Sequence, residues 1–197
     1  MKAVAGVKRG YQRGKAWLTT YLAHEDPYAG IANTAAFIVW SNQPTYPLYV
    51  AWLVGQNAWP SLLTWLSTPV FVAVPLLARC NSLAGRSLLV VAGLANSVLS
   101  LKAFGPASGI AWFFVPCLVI ALFFFRLREW PVILLLVAVT GLCALSVGRL
   151  GAPLHQFTAT EYASLTRLNI YSVTALTLYL AIAAIRVRLS SAHAEKT

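Results

Sequence analysis

Apolar and polar positions alternate in long blocks along this chain. Six apolar runs, at 28–53, 61–78, 87–104, 109–125, 130–148 and 168–185, are separated by short segments that hold the charges. Lys102, near the end of the third run, is the single Asp, Glu, Lys or Arg inside any of them. At a rise of about 1.5 Å per residue, runs of 17 to 26 residues cover roughly 25–39 Å, against a hydrocarbon core of about 30 Å. The pattern predicts an all-α polytopic membrane protein, a six-helix transmembrane bundle. Residues 1–27 then form a basic tail with an interfacial helix, 28–188 the six-span domain, and 189–197 a short polar tail.

The runs differ in regularity. The first holds Asn33, Ser41, Asn42, Gln43, Pro44 and Pro47, which fits one kinked crossing or a shorter crossing followed by a re-entrant segment. Gly55-Gln56-Asn57 predicts a turn, and Trp59 with Pro60 an aromatic belt at an interface. In the third run Gly93, Ala95, Asn96, Ser97 and Ser100 are small or amide-bearing, so a neighbouring helix can approach closely. Gly105-Pro106-Ala107-Ser108-Gly109 predicts a tight hairpin into the fourth run. Arg126 and Arg128 close that run, and Lys102 can snorkel from the far side. Upstream, Trp17, Leu18, Tyr21 and Leu22 share one helical face, as an interfacial helix requires. His24-Glu25-Asp26-Pro27 reads as a helix boundary, because no third and fourth metal ligand lies nearby. Residues 1–16 carry five basic side chains and no acid, which predicts a disordered segment drawn to anionic lipid.

Composition agrees with the pattern. The 197 residues are 59% hydrophobic and 10% charged, with a mean hydropathy of +0.70, whereas a soluble domain carries about 25% charged residues. The net charge of +10 does not point to nucleic acid, since the basic residues cluster between apolar runs as topology signals do. With both termini cytoplasmic, 12 of the 15 Lys and Arg residues lie inside, leaving Lys102, Arg149 and Arg167 outside. The expected location is integral to a membrane, the inner (plasma) membrane of a bacterium. Cys80, Cys117 and Cys143 stand singly, without the spacing of a disulfide framework or a zinc site.

Catalytic chemistry has little to work with. Only five acids exist in the chain, none inside a run, and no nucleophile elbow, metalloprotease motif or phosphate loop occurs. His24, His155 and His193 all fall outside the runs, so haem on a helix pair is not expected. The expectation is a non-enzyme without cofactor. Polar groups that can face the bundle interior toward the outer side are Asn33, Asn42, Asn96, Ser97, Lys102, Ser108, Asn169, Tyr171 and Ser172. Such groups either tie helices together or line a small-ligand pocket, because an amide at that depth is costly unless paired. Lys102 reads as a snorkelling anchor before an anion ligand, and His155 with Glu161 as a surface loop pair.

One stretch also carries a resemblance. Lys102-x-Phe104-Gly105-x-x-Ser108-Gly109-x-x-x-Phe113-Phe114-x-Pro116, followed by Phe123-Phe124-Phe125 and the Arg126 cap, resembles a six-span membrane input domain. That domain precedes class III adenylate cyclases and some autoinducer-sensing hybrid histidine kinases. Pro47-Leu48-Tyr49-x-x-Trp52 and Val74-Pro75-Leu76-Leu77-x-Arg79 agree in order, and the resemblance spans about residues 28–188. It implies a sensor of a lipid-like or small hydrophobic signal that passes a change down the last span. Nine residues follow Arg188, too few for a cyclase or kinase domain. The expectation is therefore a non-catalytic membrane sensor that binds a small or amphiphilic signal and acts through a cytoplasmic signalling protein in trans, with a homodimer as one assembly this allows. The alternative is a small transporter or channel, for which no inverted repeat is visible.

Overall fold

A computed structural model of the chain describes residues 2–194, with side chains at position 10 and over 12–190. All regular structure among the described residues is helical. Four helical stretches, Tyr46–Cys80, Ser82–Phe104, Leu127–Leu145 and Ala159–Ser190, are long and apolar enough to cross a membrane, and Ile110–Phe123 is a shorter apolar one. The α-helices are α1 (Lys2–Leu22), α2 (Pro27–Asn42), α3 (Tyr46–Val54), α4 (Thr68–Cys80), α5 (Ser82–Phe104), α6 (Phe114–Phe123), α7 (Trp130–Leu145) and α8 (Ala159–Ala194).

α1 is one continuous helix, so the disorder expected over 1–16 gives way to helix from Lys2 onward. Its last carbonyls are held by the bundle. Arg79 Nη2 donates to Thr20 O at 3.4 Å and Tyr21 O at 3.2 Å, and Asn33 Nδ2 donates to Leu22 O at 3.1 Å. A cation at a helix C-terminus also meets the negative end of the macrodipole. α2 starts where the sequence signals it: Asp26 is the N-cap, accepting from the Tyr28 N–H at 3.1 Å, with Pro27 at the first helical position.

The irregular first run is two helices. α2 ends at Asn42 and α3 begins at Tyr46, with Pro44 inside the break and Pro47 in the first turn of α3. Gly55, at φ 63°, then turns the chain back alongside α3 as a 3₁₀ helix, Gly55–Ser67, which leads into α4. Asn81 closes α4 and opens α5, accepting from the Ala84 N–H at 3.0 Å. Gly85 makes this hairpin tight: a Cβ there would sit 2.5 Å from Ala78 Cβ. The predicted turn before the fourth run is present, with Gly105 at φ 86° and Gly109 at φ 77°, conformations that only glycine adopts readily. The fourth run itself opens as 3₁₀ helix, Ile110–Phe113, before becoming α6. The last helix is 36 residues long and overruns the predicted 168–185 at both ends, taking in part of the tail.

Two ends can be recognised. At one, His24 Nε2 lies 2.9 Å from Ala78 O, Ser82 donates to Asp26, and Arg188 sits 4.9 Å over the Phe123 ring. At the other, Leu154 N donates to Lys102 O at 2.9 Å, Thr166 Oγ1 to Ala107 O at 2.7 Å, and Asn57 Nδ2 to Glu161 at 3.3 Å. α5 is the most buried of the four apolar stretches and α7 the least. Leu134, Leu135, Leu142 and Leu145 of α7 face outward, an exposure that suits a helix bathed in lipid.

Candidate functional site

A cavity of about 140 Å³ lies where α2, α5 and α8 face one another. α2 and the turn after it contribute Ile38, Val39, Asn42 and Gln43; α5 contributes Asn96, Ser97 and Ser100; α8 contributes Asn169, Ser172 and Leu176. Tyr46, Thr64, Ile110 and Phe113 complete the wall. No carboxylate, ammonium, guanidinium or imidazole is among these residues. A second, smaller cavity of about 70 Å³ shares Val39, Asn96, Ser97, Phe113 and Leu176 with the first. Its remaining walls are apolar, apart from Cys117. The pair therefore runs from an amide- and hydroxyl-lined chamber into a greasy one.

A hydrogen-bond relay fixes the polar side. Gln43 Nε2 donates to Thr64 O at 3.0 Å and to Ser67 Oγ at 2.6 Å, while its Oε1 accepts from Thr68 Oγ1 at 2.6 Å. Gln43 is thus saturated and structural. Ser67 Oγ lies 2.8 Å from both Thr64 O and Asn96 Oδ1. Thr64 O is already satisfied by Gln43, whereas Asn96 Oδ1 has no other donor among the described residues, so the single Ser67 hydroxyl proton is assigned to Asn96 Oδ1. Asn96 lines the cavity, and with its Oδ1 held by Ser67 its NH₂ has no partner among the described residues. Ser100 Oγ, one turn further along the same face of α5, is likewise unpartnered. On α8, Asn169 is buried, donates to Ser108 O at 2.9 Å and accepts from Tyr46 Oη at 3.4 Å.

Of the side chains singled out from sequence, the cavity gathers Asn42, Asn96, Ser97, Asn169 and Ser172. The others stand elsewhere. Asn33 caps α1, and its Oδ1 is buried without a partner among the described residues. The Lys102 Nζ donates to Leu150 O at 3.0 Å and Ala152 O at 2.8 Å, pinning the loop before α8. Ser108 Oγ donates to Gly105 O within the hairpin, and Tyr171 points outward at 70% exposure. Glu161 forms a capping box with Thr158 at the start of α8 (Thr158 N to Glu161 Oε2, 2.7 Å) rather than pairing with His155. His155 packs edge-on against Phe157. Gln43, Tyr46 and Thr64 were read from sequence only as irregularities or as ordinary span residues.

A second cluster escaped the sequence reading. Arg86, expected as a topology charge opening the third run, is 1% exposed and the largest fully buried side chain. Its guanidinium meets Glu129 with both arms at 2.9 Å and donates to Phe124 O at 2.6 Å and Ser82 O at 3.2 Å. It also lies 3.7 Å from Asp26 and 5.0 Å over the Phe125 ring. Arg126 pairs with Asp26 at 3.3 Å and donates its N–H to Glu129 at 2.7 Å. Two cations and two anions balance, tying α2, α5, α6 and α7 at one end. Burial raises the Asp26 carboxyl, but the Ser82 hydroxyl and the Arg86 and Arg126 charges outweigh it and hold it below its usual range.

Scans of family models, of curated proteins and of solved structures return no significant match to this chain.

Proposed function

We propose that this chain is an integral membrane sensor that binds a small, uncharged, amphiphilic molecule in the paired cavities and signals through a partner. It crosses the membrane six times, with both termini in the cytoplasm of a bacterium, as α2–α3, the 3₁₀ segment with α4, α5, α6, α7 and α8. The arrangement of the two ends supports that path, because contacts at alternating ends require successive elements to run antiparallel. Arg79, Arg86, Arg126 and Arg188 gather at one end and Lys102 at the other, in keeping with the positive-inside bias. Reporter fusions or cysteine labelling that place the 149–167 loop in the cytoplasm would overturn this topology.

The observation that carries the ligand reading is the Asn96 amide. Asn96 lines both the charge-free chamber and the apolar one it continues into, and its NH₂ has no partner among the described residues. An unpaired amide at that depth gains most from an acceptor oxygen, while the greasy chamber takes a short tail. A charged head is disfavoured, because its desolvation has no counter-ion to offset it. The larger chamber is close to the roughly 150 Å³ at which an apolar cavity holds benzene, so the ligand is small.

Thermal unfolding of the purified protein with hexanamide, hexanoate and hexylammonium tests the reading. Hexanamide is expected to raise the midpoint and the two ions are not. Equal effects of all three would contradict it. Net movement of hexanamide through liposomes only when the protein is present would instead favour the transporter alternative.

A further inference from the structure

The 3₁₀ helix Gly55–Ser67 has 13 residues, whereas such helices rarely exceed three or four, and longer stretches inside a span mark hinges. The sequence here repeats every third residue. Trp59, Leu62 and Trp65 are each 47% exposed, with Leu66 beside them at 65%, while Ser61, Thr64 and Ser67 are buried. Two of the buried hydroxyls donate to the carbonyl three residues back, Ser61 to Ala58 and Thr64 to Ser61 at 2.7 Å, and Ser67 Oγ lies 2.8 Å from Thr64 O. At about 120° per residue the three hydroxyls stack on one face. At about 100° per residue, the α-helical value, they spread over about 120°.

Building on the cavity reading above, we propose that Gly55–Ser67 is a winding switch that couples this segment to occupancy of the cavity. The 3₁₀ winding puts Thr64 in the cavity wall and Ser67 against Asn96 Oδ1. Rewinding as α-helix shortens the segment by about 6 Å and carries Ser67 off that oxygen, so the Asn96 amide loses its orientation. A ligand held by Asn96 thus has different affinity for the two windings, which is the condition for shifting between them. Gly55 supplies the hinge: its φ of 63° needs no Cβ, and nothing lies within 4 Å of where one would be. Thr68, at the other end, begins a regular α-helix.

Single spin labels at Gln56, Trp59, Leu62, Leu63, Trp65 and Leu66, read by oxygen accessibility in bilayers, follow the winding directly. With saturating hexanamide Trp59, Leu62, Trp65 and Leu66 are expected to be accessible and Leu63 less so. Without it accessibility is expected to rise at Leu63 and fall at Trp65. A profile that is the same with and without hexanamide overturns the switch, and a period of 3.6 in both conditions overturns the 3₁₀ assignment itself. Independently, Ser61→Ala removes one rung outside the cavity and is expected to weaken hexanamide binding about fivefold. Unchanged affinity in that variant, with binding intact in the wild type, overturns the coupling but leaves the cavity reading standing. No hexanamide binding to the wild type overturns the cavity reading and the coupling with it, while the label profile still decides the winding.

Discussion

Arg86 and Glu129 meet along both arms of the guanidinium, each at 2.9 Å, with Arg86 1% exposed. Breaking a buried pair by removing one partner leaves an uncompensated charge, which costs about 3–5 kcal/mol. Glu129→Ala should therefore lower stability by about that amount. Exchanging both partners for apolar residues, Arg86→Met with Glu129→Leu, should recover most of it, because no buried charge remains. Chemical unfolding in detergent reads both. A double variant no more stable than Glu129→Ala would mean that the network is needed for its geometry.

The same cluster sets an acid limit. The Asp26 carboxyl is held below its usual range by Ser82, Arg86 and Arg126 against the opposing effect of burial. A depressed carboxyl contributes stability that is full above its unfolded value, near about 3.9, and is lost as pH falls through the folded value. Unfolding midpoints should be flat from neutral pH down to about pH 4 and fall below it. Asp26→Asn should be less stable at neutral pH and show a shallower acid decline. An acid decline of unchanged slope in that variant would exclude Asp26 as its source.

Gly85 and Ala78 test the packing of α4 on α5. A Cβ at Gly85 would lie 2.5 Å from Ala78 Cβ and 2.6 Å from its Cα, so helix backbone must shift. Overpacking of this kind costs about 1–3 kcal/mol. Gly85→Ala should lower the unfolding midpoint, and adding Ala78→Gly should restore part of the loss. A Gly85→Ala protein of wild-type stability would show that α4 and α5 stand further apart.

What could be read from sequence followed what local chemistry dictates. The hairpin at Gly105 and Gly109 was legible because positive φ selects glycine, and α2 began at Asp26-Pro27 because both residues favour a helix start. Asn96, Ser97 and Asn169 stood out as amides and hydroxyls inside apolar runs. Arg86 did not, because a buried arginine near a helix end and a snorkelling one have the same sequence. Only the approach of Glu129, 43 residues away, separates them. The partners of Lys102 were hidden as well, because backbone carbonyls leave no trace in composition. The relay through Gln43 and Ser67 was hidden because Gln43 belonged to an irregular stretch. The 3₁₀ segment went unseen because it is divided between the turn signal Gly55-Gln56-Asn57, the Trp59-Pro60 belt signal and the start of the second apolar run.

Binding of hexanamide to the wild type and to Asn96→Leu, measured side by side as saturable isotherms, tests the central claim most directly. The substitution removes the amide without introducing charge or much volume. The account predicts stoichiometric binding to the wild type and loss of at least about tenfold in affinity in Asn96→Leu, the range for a hydrogen bond to a buried polar group. Equal affinity for the two proteins, or no saturable binding to either, would contradict it.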